Sequence, residues 1–125
     1  MQGKVVIDIS NPRLDREGPI TEEWLAMGTG LAMAQYLPGV RLVKAFNTHG
    51  SRMFQNTIRN GERIGVPIAG DDEEAVAIVV NLVRDAGFDP VIVGSLAQAS
   101  EFDRGSPVWV TGMSAREIRE ALNIR

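Results

Sequence analysis

Polar residues that can bind or position a small molecule follow four apolar runs of this sequence. They are Ser10-Asn11-Pro12, Asn47-Thr48-His49, Gly70-Asp71-Asp72 and Gly94-Ser95. In an open parallel sheet, ligands bind beyond the carboxyl ends of the strands, where these residues are expected. The asparagine amide offers donors and an acceptor, which suits a planar amide or the edge of a heterocyclic ring. Asparagine is also a common turn residue, so the pattern predicts either a ligand site or ordinary turns.

Three other features invite a chemical interpretation. His49, the single histidine, has an ordinary pKa near neutrality and suits a general acid or base, but no carboxylate beside it in the sequence would orient it. A polar loop residue is the alternative. The acidic run 71–74 suits a metal or, better, a helix N-terminus, with Asp71 as the cap and Glu74 in capping-box spacing. Gly28-Thr29-Gly30 lacks the third glycine of a dinucleotide fingerprint and follows no strand, so it is not a phosphate cradle.

The elements that must position these residues alternate between strand and helix. Helices are predicted from an N-cap at Thr29, from the Asp71 capping box to Gly87, and from a second capping box at Ser114, with a short helix over 51–56. Residues 12–22 and 95–106 are predicted as loops. Strands are predicted at 4–9, 41–46, 65–69 and 90–94, with a short extended piece at 108–110. Pro67 makes the third strand an edge strand or one with an unpaired segment. The alternation predicts one α/β domain over 1–125, with a mainly parallel sheet and flanking helices.

Composition excludes several classes of function. The 125 residues carry a formal net charge of -3, which disfavours nucleic acid or an anionic membrane as the main partner. The absence of cysteine excludes a disulfide framework and a thiolate metal site, and one histidine leaves little for a metal cluster. No apolar stretch approaches the roughly 20 residues that a membrane span needs. A cytoplasmic protein is expected.

Several segments together carry a resemblance to one family. They are Val6–Pro12, Leu37–Thr48 with its Lys-Ala-Phe-Asn-Thr, Ile68–Ala75 with its Ala-Gly-Asp-Asp, Ala86–Val91 and Gly94–Leu96. In order and spacing they resemble the dinucleotide-binding, deazaflavin-dependent NADP oxidoreductases and the related reductase domains of the six-transmembrane metalloreductases. The likeness covers nearly the whole chain.

The resemblance implies hydride transfer between NADPH and a deazaflavin (coenzyme F-420) or a flavin. It places Asn11-Pro12 near the nicotinamide, and Phe46, Asn47 and Thr48 in the pocket where the two rings meet. The resemblance also implies that Ser95, in the segment Gly94-Ser95-Leu96, closes that pocket. The protein would mainly align two cofactors, so the resemblance does not require a catalytic acid or base.

The family's first strand, Gly-rich turn and helix, which hold the pyrophosphate, do not occur in this sequence. The expectation is therefore a partial Rossmann-like fold without the first βαβ unit, in a truncated or split NADP-linked oxidoreductase that is weakly active alone. One alternative is a non-catalytic binding or assembly module that keeps the fold without the cofactor site. Another is a stand-alone flavin or deazaflavin binder.

The first predicted strand is the basis for the expected partner. The run 4–9 is apolar apart from Lys4 and Asp8, and in the family it is flanked by strands from the N-terminal half. A strand left at a sheet edge is a template for pairing with another chain. A homo-oligomer, or a partner chain that covers the residue 4–9 strand, is expected.

Overall fold

Four of the predicted strands form one sheet in the computed structural model, which describes residues 1–124. They are β1 (Val5–Asp8), β2 (Arg41–Ala45), β5 (Gly65–Gly70) and β6 (Asp89–Gly94), in the spatial order β1-β2-β5-β6. β1 and β2 are parallel, and β5 and β6 are parallel. The mixed but mostly parallel sheet with flanking helices confirms the predicted fold class.

The two parallel pairs run in opposite directions, because β2 and β5 are antiparallel. A parallel step needs a long crossover, usually an α-helix. The chain from β2 to β5 instead makes a short 3₁₀ helix (Ser51–Phe54) and a hairpin of β3 (Ile58–Arg59) and β4 (Glu62–Arg63). The carboxyl ends of β1 and β2 therefore lie at one edge of the sheet, and those of β5 and β6 lie at the other.

Pro67 lies in an inner strand, but its neighbours explain why it is tolerated. The antiparallel pairing of β5 with β2 ends at Ile68, opposite Ala45. Phe46, the next residue of the chain, turns away with a positive φ of 64°. Pro67 thus lies just beyond that ladder while its strand continues to pair with β6, as the unpaired-segment interpretation predicts.

Helices cover both faces of the sheet. They are α1 (Leu14–Glu17), α2 (Ile20–Met27), α3 (Thr29–Tyr36), α4 (Glu73–Asp85) and α5 (Ala115–Ala121), with a second 3₁₀ helix at Leu96–Phe102. α4 packs its buried Ala75, Val79 and Val83 on one face. The Leu96–Phe102 helix and α5 pack on the other, around Phe102 and Ile118. In residues 1–124, every helix is too short or too polar to cross a membrane.

Three predictions about local structure were wrong. Residues 12–22 are mostly helical, because charged neighbours such as Arg13 and Asp15 pair locally instead of leaving an open loop. Residues 96–102 form a 3₁₀ helix that begins with a Ser95–Gln98 capping box. Residues 108–110 are turns, and Val110 has a positive φ of 53° that ends any extended segment.

Two of the three predicted helix caps were also wrong, because tertiary partners take the side chains. Asp71 Oδ1 accepts a hydrogen bond from the Leu96 amide at 2.9 Å instead of capping α4. The Thr29 hydroxyl donates to the buried carboxylate of Asp103. The third cap is confirmed: the Ser114 hydroxyl accepts from the Glu117 amide at 3.2 Å, and the Glu117 carboxylate accepts from the Ser114 amide at 3.1 Å.

Four rings pack together where β2 ends. Phe46, His49, Phe54 and Phe88 have mutual centroid distances between 4.9 and 6.1 Å, and the His49–Phe88 pair meets edge to face at 4.9 Å. Burial among these rings lowers the pKa of His49 from 6.5 to about 4, because desolvation disfavours the imidazolium. His49 is therefore neutral near pH 7.

This lowered pKa predicts a loss of stability in acid. The unfolded chain takes up a proton on His49 as the pH falls through 6.5, whereas the folded chain takes it up only near pH 4. The stabilisation is complete above pH 6.5 and is lost between these two values. The loss is at most about 3 kcal/mol, from the free-energy equivalent of a pKa shift.

His49→Phe keeps a ring in the cluster and removes the titration. Urea unfolding between pH 7 and pH 4 should show a steeper fall in the free energy of unfolding for the wild type than for His49→Phe. Equal slopes in the two proteins would show that His49 is not held neutral by burial.

Candidate functional site

A buried ion pair joins the carboxyl ends of β1 and β2. Asp8 and Lys44 lie side by side in the parallel ladder, with Lys44 Nζ 3.1 Å from Asp8 Oδ2. Lys44 is fully buried and Asp8 is 6% exposed. The ammonium also donates to the Ser10 carbonyl at 2.6 Å, and Asp8 Oδ1 accepts from the Ser10 amide and hydroxyl at 2.9 and 2.6 Å. Hydrogen bonds to the amide, hydroxyl and carbonyl of Ser10 therefore hold the turn that leads to Asn11.

The two predicted asparagines meet immediately beyond this pair. Asn11 Nδ2 donates to the Asn47 carbonyl at 2.7 Å, and Asn47 Nδ2 approaches Asn11 Oδ1 at 3.4 Å. Asn47 Nδ2 also donates to the Phe102 carbonyl at 2.9 Å, and Asn47 is only 1% exposed. The amide of Asn47 therefore connects the ends of β1 and β2 to the Leu96–Phe102 helix.

Trp109 completes the surroundings of the Asn47 turn. Its indole Nε1–H donates to the Asn47 carbonyl at 3.1 Å, so this oxygen accepts two side-chain hydrogen bonds. The guanidinium of Arg104 lies over the indole, 5.2 Å from the ring centroid, in cation–π geometry. The neighbouring Val110 amide donates to the Thr48 carbonyl at 2.9 Å, which holds the 106–110 turn against the end of β2.

An open polar cleft of about 670 Å³ lies over this edge of the sheet. Asn11 and His49 line it together with three arginines. The cleft is lined by Ile9, Ser10, Asn11, Arg13, Arg16, His49, Gly50, Ser51, Arg104 and Trp109. Asp15 neutralises Arg13 through two hydrogen bonds, and Arg16 donates to the Asn11 carbonyl at 3.0 Å. The cleft therefore combines amide and imidazole groups with an aromatic wall.

Two buried polar atoms at this edge have no protein partner within residues 1–124. They are Asn47 Oδ1 and His49 Nε2. His49 Nδ1 lies 3.3 Å from the Thr48 hydroxyl, which orients the ring. Since burial lowers the pKa of His49 to about 4, the ring hydrogen-bonds as a neutral imidazole near pH 7 and is not a charged acid. An unpartnered buried polar atom is costly, so these atoms mark where a polar molecule would be favoured.

The remaining predicted site residues take different positions. Pro12 is buried and lines a neighbouring cleft of about 390 Å³ that shares Arg13 and Arg104 with the first. Phe46 is partly buried in the aromatic cluster, and Thr48 is 3% exposed beneath the cleft. Five of the six predicted residues thus lie at the carboxyl ends of β1 and β2.

Ser95 does not join them. It follows β6, which runs antiparallel to β1 and β2, so it lies at the opposite edge of the sheet. There it lines a cleft of about 470 Å³ with Gly70, Asp71 and Glu73. The expectation that Asn11, Asn47 and Ser95 share one edge was right for the asparagines and wrong for Ser95. It assumed that all four strands were parallel.

Sequence reasoning missed Asp8, Lys44, Arg104 and Trp109. A signal for the first two was present: one carboxylate and one ammonium interrupt two apolar strands, and a buried charge requires a partner. No signal identified Trp109, because its partner is a backbone carbonyl 62 residues away. Within residues 1–124, no group of acidic or histidine side chains is arranged to hold a metal ion. The acidic run 71–74 instead pairs with Arg41, through Asp72 and Glu74.

Known proteins with related sequences include a reductase. The chain is 35% identical to the metalloreductase STEAP3 of Rattus norvegicus over 117 residues, which is 87% of this chain and 22% of that protein. A shorter match, 49% over 37 residues, links 30% of the chain to 27% of the protein YjhV of Escherichia coli. The chain thus spans about a quarter of the length of these relatives. No protein-family model matches it.

Solved structures share the fold over about half of their own length. One is a hypothetical protein from Sinorhizobium meliloti, with a TM-score of 0.65 and 26% identity over 87% of this chain and 54% of that chain. Another is described as an F-420-dependent NADP reductase from an Arthrobacter species, with a TM-score of 0.61 and 22% identity over 98% and 55%. The chain is therefore a homologue of the metalloreductase STEAP3 with a Rossmann-like fold, which confirms the family relation that its motifs predict.

Proposed function

We propose that this chain forms the ring-binding part of an NADP-linked oxidoreductase that passes hydride between NADPH and a flavin or deazaflavin. The observation that carries the proposal is the Asn11–Asn47 pair, held by a 2.7 Å hydrogen bond at the carboxyl ends of two parallel strands beside an open polar cleft. The relation to a metalloreductase and the shared fold with an NADP reductase support it.

The groups at this edge fit the chemistry of a nicotinamide or flavin ring. Both rings carry amide-like donors and acceptors, which the side chains of Asn11 and His49 can match. The bound cofactors supply the hydride chemistry, whereas the protein supplies binding, orientation and exclusion of water. His49, whose pKa is lowered to about 4 by burial, is neutral and suits hydrogen bonding at a ring edge.

Residues 1–124 contain no turn that fits the pyrophosphate of NADPH. A dinucleotide turn requires glycines directly after a strand and before a helix N-terminus. Gly28 and Gly30 lie instead at the junction of α2 and α3, and Gly30 is packed against the Leu96–Phe102 helix. NADP-linked activity therefore requires phosphate-binding residues other than those in the 125, in the same polypeptide or in another. Without them, we propose weak activity.

A second candidate is a binding or assembly module without catalysis, which the lack of a pyrophosphate turn favours. One assay distinguishes the two proposals. NADPH and a flavin are added to the chain together with the polypeptide segment that supplies the phosphate-binding residues. NADPH oxidation supports the oxidoreductase, and ring binding without oxidation supports the module. In either case we propose a cytoplasmic location, since a chain without cysteine has no disulfide suited to an oxidising compartment.

The free edge of β1 supports a partner. Among residues 1–124, β1 pairs only with β2, and Val5, Val6 and Ile7 are partly exposed. Large apolar side chains lie nearby in sequence, including Ile9 at 60% exposed and Leu14 at 57%. We propose that a second copy of the chain, or a partner chain, covers this edge.

The first prediction concerns the ring ligand. Flavin mononucleotide should bind the chain, and Asn47→Ala should weaken binding by about 1–3 kcal/mol, because it removes the contact of Asn47 Nδ2 with Asn11 Oδ1 and orphans the Phe102 carbonyl. Fluorescence titration measures this, with circular dichroism to verify that the variant is folded. Asn81→Ala changes an exposed asparagine on α4 and is the matched control. Equal affinity in wild type and Asn47→Ala would remove Asn47 from the site.

A second prediction concerns the dinucleotide. Because the chain holds no pyrophosphate turn, NADPH should bind it far more weakly than in the low micromolar range. Isothermal titration calorimetry decides this. A free energy near -8 kcal/mol, which corresponds to about 1 μM, would mean that a phosphate site exists within these residues.

A third prediction concerns assembly. The wild-type chain should elute as an oligomer in gel filtration with light scattering, and Val6→Lys should shift it toward monomer by placing a charge on the β1 edge. Ile78→Lys, at a 41% exposed position on α4, is the control. A wild-type monomer at high micromolar concentration would refute self-association through this edge.

A further inference from the structure

Lys44 is the largest fully buried side chain among the residues that the structure describes. It belongs to β2, between the buried Val43 and Ala45, and its ammonium contacts only two oxygen acceptors in the described residues. These are Asp8 Oδ2 at 3.1 Å and the Ser10 carbonyl at 2.6 Å. Ser10 is exposed and immediately precedes Asn11.

The pair fixes Ser10 by three of its polar groups. Lys44 binds the Ser10 carbonyl, and Asp8 Oδ1 binds both the Ser10 amide and its hydroxyl. The carbonyl of Ser10 belongs to the peptide that contains the Asn11 nitrogen. Its orientation therefore sets where Asn11 begins and whether the Asn11 side chain reaches the Asn47 carbonyl.

We propose that Lys44 and Asp8 are positioning residues for the ring ligand, which they orient through Ser10 and Asn11. This inference rests on the proposed function. Neither side chain lines the cleft, so neither touches the ligand. The pair holds the Asn11 amide in one orientation before the ligand arrives, and so removes the cost of ordering it on binding.

Stability alone does not account for such a pair. Removing the charges from water costs nearly as much as their attraction returns, and apolar residues of similar volume often replace a buried pair without loss. Apolar side chains cannot, however, hydrogen-bond the three polar groups of Ser10. Replacing Lys44 and Asp8 together therefore tests the orientation of Ser10 separately from the stability of the fold.

The double variant Asp8→Leu with Lys44→Met makes that separation. We expect a urea midpoint close to that of the wild type and an affinity for flavin mononucleotide that is lower by roughly tenfold. The matched control removes an exposed pair, Glu62→Leu with Arg116→Met, whose charges lie 3.3 Å apart between β4 and α5. The control should bind like the wild type.

Ser10→Ala is the second variant, in case the double variant does not fold. Within the protein it removes the bond from the Ser10 hydroxyl to Asp8, so the chain stays folded and affinity should fall by a smaller factor, about threefold. Ser10 also lines the cleft, so the exchange of the Asn11 amide without ligand distinguishes positioning from a direct contact. Unchanged affinity in a folded double variant, or in Ser10→Ala when the double variant is unfolded, would overturn the inference.

A readout without ligand separates this inference from the proposed function. Nuclear magnetic resonance of the Asn11 side-chain amide should show slow exchange of the one proton that is donated to the Asn47 carbonyl in the wild type, and fast exchange of that proton in the double variant or Ser10→Ala. A wild type that binds no flavin mononucleotide would refute the proposed ring site. The positioning of Asn11 would then be supported by the loss of amide protection and overturned by its persistence.

Discussion

The contact between Lys44 and Asp8 organises the edge of the sheet that carries the candidate site. Two opposite charges, buried at adjacent positions of parallel strands, bring the ends of β1 and β2 into register. They also bind the first turn residue, Ser10, so that the following Asn11 reaches the Asn47 carbonyl. Asn47 in turn donates to the Phe102 carbonyl and accepts from the Trp109 indole. These two bonds connect the Leu96–Phe102 helix and the 106–110 turn to the strand ends.

The reversal between β2 and β5 is the second constraint. It divides the polar strand ends between two edges, with arginines around Asn11 at one edge and the acidic run 71–74 at the other. Arg41 at the start of β2 is paired with Asp72 and Glu74, so one positive charge offsets part of the acidic run within the fold. The Asn11 edge offers the Asn11 amide, the neutral His49 imidazole and the Trp109 indole to a planar ligand, with arginines beside them.

Much of the fold could be predicted from the sequence, because its signals are local. The four strands are largely apolar runs bounded by turn residues, and α4 and α5 carry strong apolar or capping patterns. Strand direction could not be predicted, because it depends on how residues 46–64 return, and the Asn60-Gly61 hairpin within them was overlooked. Both residues have positive φ, 54° and 78°, as a tight two-residue hairpin turn requires. The misplacement of Ser95 follows from this one error.

The asparagine pair was predictable for a similar reason: both residues follow strands that are neighbours in the sheet. The groups that hold it were not, since the carbonyl of Phe102 and the indole of Trp109 come from residues 55 and 62 positions beyond Asn47. The most direct test of the site is a titration of the isotope-labelled chain with flavin mononucleotide, followed by amide and indole resonances. We expect shifts at the side chain of Asn11, at His49 and at the indole of Trp109, with Asp71 and Ser95 unchanged. Shifts centred on Gly70, Asp71 and Ser95 would place the ligand at the opposite edge and refute a ring site at Asn11.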